Sequence, residues 1–276
     1  MISRAAVTEI VHVERVGAGV LRRLEAAPLA LGRVHSVFER AVNVLGHDGR
    51  LLALHGPGPL AAPFAAALDR LPRRGALVPG MEVEHRDGRL VLGGHALDWR
   101  GAEVVETALG PAGDRSALAA ALLDAPLPAG APALRSPLAL DARRRLAGGL
   151  RHRDSRGVID GALRLIGLGE GLTPAGDDCL VGTLAIVRRF RPDLLVVHPD
   201  IATAIGAAAR DGTTAVGREF LLHALEGSFS EVVIALAAAG TEDDARAALA
   251  DLLTMGATSG ADTAAGMRLG LEALAP

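Results

Sequence analysis

The pattern of apolar and polar positions changes character partway along the chain. In the first part it is short and alternating: Arg33-Val-His-Ser-Val-Phe38 runs into Glu39-Arg-Ala-Val-Asn-Val-Leu45, placing Val34, Ser36 and Phe38 on one face of an extended segment and His35, Val37 and Glu39 on the other. Gly46-His-Asp-Gly49 is a turn signal, so Arg50 to His55 reads as the returning strand of a hairpin. Residues 12–26 and the patch Pro63 to Leu71 read as helices. Ala76 to Val78, Met81 to His85, Arg89 to Leu92 and Ala102 to Val105 read as short strands, with Asp87-Gly88 and Gly93-Gly94 as turns.

Beyond Pro137 the spacing is helical almost to the end. Helices are expected over 138–151, 155–166, 176–190, 199–210, 214–226, 229–239, 242–254 and 261–274. Pro111, Pro126, Pro128, Pro132 and Pro137 surround one short helical patch between the two regimes. The expected architecture is α+β: a β-rich domain over 1–125, built as an antiparallel sheet or small barrel, a Pro-rich linker over 126–137, and an all-α domain over 138–276.

Composition narrows the function classes. The chain has 276 residues, half of them apolar, which is enough for a sizeable core without metal or disulfide. With five Phe, one Trp and no Tyr, stacking platforms for single-stranded nucleic acid are nearly absent, and a net charge of −3 argues against duplex binding. The single Cys179 excludes an internal disulfide, fits a reducing cytoplasm, and reads as a buried, inert thiol because no histidine lies nearby in sequence. Met1 to Ile10 lacks a signal-peptide pattern, and no uncharged apolar stretch reaches the membrane-spanning length of about 18 residues.

Candidate chemistry concentrates in Gly167-Leu-Gly-Glu-Gly-Leu-Thr-Pro-Ala-Gly-Asp-Asp178, a glycine-rich loop feeding a helix. Gly169, Gly171 and Gly176 let backbone approach a ligand, Thr173-Pro174 reads as an N-cap with proline in the first helical position, and a helix start attracts anions. Asp177 and Asp178 then offer a carboxylate that holds a cation or takes a proton. Rossmann and Walker A fingerprints both fail, because Gly161 to Ile166 reads as a helix end and Gly176-Asp177-Asp178 replaces Gly-Lys-Ser/Thr.

A second stretch, Gly256-Ala-Thr-Ser-Gly-Ala-Asp262, echoes the first: Gly-x-Thr, small residues, an acidic helix start. If the two starts converge, Thr173, Thr258, Ser259, Gly260 and Asp262 surround one polar pocket; the competing reading is an ordinary capping box, Ser259 to Asp262. Asp211-Gly-Thr-Thr-Ala215 adds Thr213 as an N-cap beside Thr214, with Arg218 a turn on as a charge-balancing cation. His35, Ser36 and Asn43 are polar residues in an apolar strand. The histidines show no zinc spacing, no organic cofactor is evident, and Mg²⁺ held by Asp178 is the cofactor this pattern allows.

Gly169 to Asp178, Thr213-Thr214, Gly227-Ser-Phe-Ser230 and Gly256 to Asp262, with Arg33 to Phe38 and Asn43, resemble the landmarks of the family of the AllH subunit of oxamate carbamoyltransferase. The resemblance covers most of the chain. It implies a role in anaerobic allantoin catabolism, converting oxalurate and phosphate to oxamate and carbamoyl phosphate in an assembly of different subunits. Ligands would be small carboxylates and carbamoyl or phosphate groups, and no nucleic acid or membrane partner is expected. The alternatives are a magnesium-dependent phosphoryl-transfer or ligase-like enzyme, and a non-catalytic metabolite-binding subunit.

Overall fold

The computed structural model describes residues 7, 9–26, 32–73, 75–86, 88–110, 113–124 and 126–275. Most of the N-terminal leader reading, Asp87 of the expected turn and Pro111 lie outside them. The chain forms two compact units, Met1–Thr107 and Ala108–Pro276.

The first unit begins with β1 (Glu9–Gly17) and α1 (Ala18–Ala26), then runs through β2 (Arg33–Val37), β3 (Ala41–Leu45), β4 (Leu51–His55), β5 (Ala65–Leu68), β6 (Val83–Arg86), β7 (Arg89–Leu92), β8 (His95–Asp98) and β9 (Glu103–Val105). The strands form one sheet in the order β2-β3-β4-β5-β1-β8-β7-β6, with β9 also on β1. The expected hairpin is present, β3 pairing antiparallel with β4 from Ala41–His55 to Leu45–Leu51. Its far edge curls back: Val34 N–H donates to Met81 O (2.8 Å), Gly80 N–H to Val34 O (2.8 Å) and Val83 N–H to Gly32 O (3.1 Å), which nearly closes the sheet into a barrel. Val11, Val13, Val34, Val44, Leu54, Leu68, Leu90 and Leu97 fill the interior.

Several local expectations are corrected here. Residues 12–17 belong to β1 and not to a helix, because Val11 and Val13 are buried while His12 and Glu14 are exposed, a two-residue period. The patch 63–71 contains the fully buried β5, whose Ala-Ala-Ala-Leu run has no alternation because both faces are covered. The 33–45 segment is two strands, with a bulge between Val34 and Ser36 that shifts the expected face assignment. Ala76 to Val78 is not a strand, and β8, absent from the sequence reading, follows the Gly93-Gly94 turn.

The second unit is helical: α2 (Arg115–Leu123), a 3-10 turn (Pro132–Arg135), α3 (Pro137–His152), α4 (Ser155–Leu163), α5 (Ala175–Phe190), α6 (Pro192–Val197), α7 (Pro199–Gly212), α8 (Ala215–Glu226), α9 (Glu231–Ala237), α10 (Glu242–Leu253) and α11 (Ser259–Ala273). The compact units meet at Thr107 and Ala108, so α2 and the expected linker 126–137 belong to the helical unit. Its axis is α5, buried without interruption from Ala175 to Val187. Helix α11 lies directly against it through glycines: a methyl group on Gly182 would sit 2.0 Å from Thr263 O, and one on Gly266 1.9 Å from Cys179 O. Thr183 Oγ1 ties both backbones, donating to Cys179 O (2.9 Å) or Gly266 O (3.1 Å). The two helices run in the same direction, Gly182 beside Thr263 and Ile186 beside Gly270, so their N-termini share one end. No described helix is long and apolar enough to cross a membrane.

Candidate functional site

At that shared end the two Gly-x-Thr loops meet. Thr173 Oγ1 and Ser259 Oγ are 2.9 Å apart, although 86 residues separate them in sequence. Neither residue is the cap that the sequence suggests. Pro174 occupies the N-cap of α5 without a side-chain bond, and Thr258 that of α11, so the hydroxyls of Thr173 and Ser259 are turned to each other. The capping box from Ser259 to Asp262 does not form either, because Asp262 Oδ1 accepts the N–H of Ala131 at 2.9 Å. That contact needs Gly130, where a methyl group would lie 2.1 Å from Asp262 Oδ1.

The adjacent aspartates divide in role. Asp177 uses both oxygens inside the unit: Oδ1 accepts Gly167 N–H at 2.8 Å, and Oδ2 accepts the Thr213 hydroxyl in a short bond. Gly217 leaves the space for this carboxylate. Asp178 is 6% exposed and lies by the two hydroxyls and Asp262, itself fully buried. The Oδ2 atoms of Asp178 and Asp262 are buried without a hydrogen-bond partner.

Burial raises the pKa of all three carboxyls. For Asp177 the Thr213 and Gly167 bonds pull back against it, as Ala131 N–H and Thr258 do for Asp262. For Asp178 burial dominates, the Ser259 and Thr173 hydroxyls oppose it, nearby Asp262 and Asp177 reinforce it, and the carboxyl is pushed up to about 8. Asp178 is therefore mostly a neutral acid at pH 7. Burial likewise pushes the Cys179 thiol up to about 11, which keeps it unreactive.

The helix starts donate less than the sequence suggests. Gly176 N–H is taken by Leu168 O, Asp177 and Asp178 N–H by Pro174 O, Gly260 N–H by Met255 O and Asp262 N–H by Thr258 O. The glycines keep the loop near: Gly169 and Gly171 hold φ of 117° and 98°, a region that side chains strain to enter. Gly176 passes so near Leu165 O that a methyl group would be 1.9 Å away.

The remaining expected residues are nearby or separate. Thr214, not Thr213, caps α8, accepting Gly217 N–H at 2.9 Å and donating to Leu172 O in the first loop. Thr213 cannot cap because its hydroxyl is committed to Asp177. Arg218 lies 3.7 Å from Glu219 on its own helix. In the barrel unit His35, Ser36 and Asn43 form their own cluster, Ser36 Oγ lying 3.1 Å from both His35 Nδ1 and Asn43 Nδ2. Among the described residues there is no group of three or more His, Cys, Asp or Glu side chains arranged to hold a metal ion.

Two family models match the chain. The oxamate carbamoyltransferase subunit AllH matches residues 165–271, and the AllH family N-terminal domain matches residues 9–104. The chain belongs to the AllH family. The AllH model takes in both loops, Thr213 and all three buried aspartates, while Gly130 and Ala131, which the sequence reading passed over as linker, lie outside both matches. A glycine between prolines in Pro128-Ala-Gly-Ala-Pro132 was the available signal for them. No curated protein and no solved structure matches the chain.

Proposed function

We propose that the chain is a substrate-handling subunit of an oxamate carbamoyltransferase, and that the junction of the two loops receives a small carboxylate bearing a carbamoyl group. The reading is supported above all by the meeting of Thr173, Ser259, Asp178 and Asp262, which turns two sequence-distant helix starts into one polar site with unsatisfied oxygens. In the forward reaction a phosphate oxygen attacks the carbamoyl carbon of oxalurate, the C–N bond to the oxamate nitrogen breaks, and its electron pair must take up a proton. Asp178 carries that proton, since its carboxyl remains protonated near neutral pH. The Thr173, Thr258 and Ser259 hydroxyls orient the ligand, and Asp177 fastens the loop to Thr213. Mg²⁺, if bound, would be held by Asp178 in its ionised form and would help neutralise phosphate, a role that competes with Asp178 as the proton donor.

The test is phosphate-dependent cleavage of oxalurate by the chain copurified with its partner subunits. Asp178→Asn, which keeps shape but has no acidic proton, lowers the rate by about 100-fold or more with the fold intact. Full activity in that variant would make this a non-catalytic subunit. Protection of the 169–178 loop by ATP but not by carbamoyl phosphate would point to a nucleotide-dependent ligase.

A further inference from the structure

Once Asp178 has given its proton to the leaving nitrogen, the unsatisfied atoms at the loop junction are acceptors. Asp178 Oδ2 and Asp262 Oδ2 are buried without a hydrogen-bond partner on residues 6% and 0% exposed. Asp262 is held in place from behind, its Oδ1 fixed by Ala131 N–H. Of the helix-start N–H groups, those of Gly176, Asp177, Asp178, Gly260 and Asp262 are already given to Leu168, Pro174, Met255 and Thr258 carbonyls, which weakens both starts as anion sites. A phosphate or carboxylate brought against these two oxygens meets acceptor facing acceptor. A planar –NH2 meets them with two donors.

Resting on the function proposed above, we infer that Asp178 and Asp262 together read the amide –NH2 of the ligand, making Asp262 a specificity-determining residue that selects an amide over the matching carboxylate. The assignment fits the reaction, because the nitrogen released from the carbamoyl carbon becomes the –NH2 of oxamate. That group ends against the carboxyl that supplied its proton. A site whose buried polar groups are paired only by the right ligand rejects an analogue lacking the donor strongly.

Calorimetric titration of the full chain with its copurified subunits, using oxamate and oxalate above about pH 8, where Asp178 is ionised, tests this. Oxalate has the same size but a carboxylate in place of the amide. Oxamate binds at least about tenfold more tightly, and Asp262→Asn, which keeps the acceptor for Ala131 but can turn a donor into the site, erases or inverts that preference. Melting curves confirm the variant's fold, and Asp178→Asn gives the same inversion should Asp262→Asn unfold. Equal binding of oxamate and oxalate by the unaltered protein overturns the inference and leaves the proposed function standing. Failure of both to bind removes the two together. Stoichiometric uptake of Mg²⁺ alone, lost in Asp262→Asn, would make the pair a cation site instead.

Discussion

The two Gly-x-Thr loops are near copies in sequence and differ in how they spend their acids. The loop before α5 has two aspartates, and Asp177 is consumed as a fastener between Gly167 and Thr213, leaving Asp178 to the junction. The loop before α11 has one aspartate, so Asp262 must do both jobs, one oxygen on Ala131 N–H and the other left over. A shared motif thus positions one acid from each helix at the same place, while anchoring is solved locally and differently. Structure and chemistry should therefore separate between Asp177 and Asp178 but stay joined in Asp262.

The largest separation is expected in the pH dependence of stability. A carboxyl whose folded pKa is raised binds its proton more tightly folded than unfolded, so its contribution is full below the ordinary value of 3.8 and declines as pH rises towards about 8. Asp178→Asn removes this decline. Relative to the unaltered protein the variant gains up to about 1.4 kcal/mol per pH unit, or about 4 kcal/mol between pH 5 and 8. Denaturant midpoints at both values measure it, and parallel curves would show that Asp178 is ionised in the folded protein.

Asp177→Ala should act in the opposite sense. It strands Gly167 N–H and the Thr213 hydroxyl in a site where the carboxylate was 1% exposed, so stability falls by about 2–3 kcal/mol at neutral pH. Equilibrium unfolding in urea is the measurement. A loss below about 0.5 kcal/mol would mean that the two neighbouring acids are not divided as their bonds indicate.

Much of the helical unit was legible because its burial follows the 3.6-residue period, and α3, α8 and α10 fall close to where that period places them, while α5, buried all round, was legible from the long apolar run after its acidic start. The barrel was harder. Its central β5 is covered on both faces and shows no alternation, and β1 hid its two-residue period in front of the genuine helix α1. At the site the repeated Gly-x-Thr motif was enough to suggest that the loops converge. What no local pattern could give was Ala131 reaching Asp262, a contact spanning 131 residues, or which of two adjacent acids would be spent on anchoring. Both depend on three-dimensional neighbours, as does the missing cap at Thr173, whose hydroxyl found Ser259 instead.

The smallest expected effect tests whether the loops are coupled at all. Thr173 and Ser259 are half-buried and share one hydrogen bond of 2.9 Å, so removing either hydroxyl, as Thr173→Val or Ser259→Ala, costs about 1 kcal/mol. If the bond is what joins the loops, removing both costs less than the sum, with a coupling of about 0.5–1 kcal/mol in a double-mutant cycle. Thr214→Val supplies the contrast, since its hydroxyl caps α8 and bonds Leu172 O without touching the second loop. Its effect should add to that of Ser259→Ala within about 0.3 kcal/mol. Additivity in both cycles would reduce the meeting of the two helix starts to proximity, with nothing holding Asp178 and Asp262 to a common ligand.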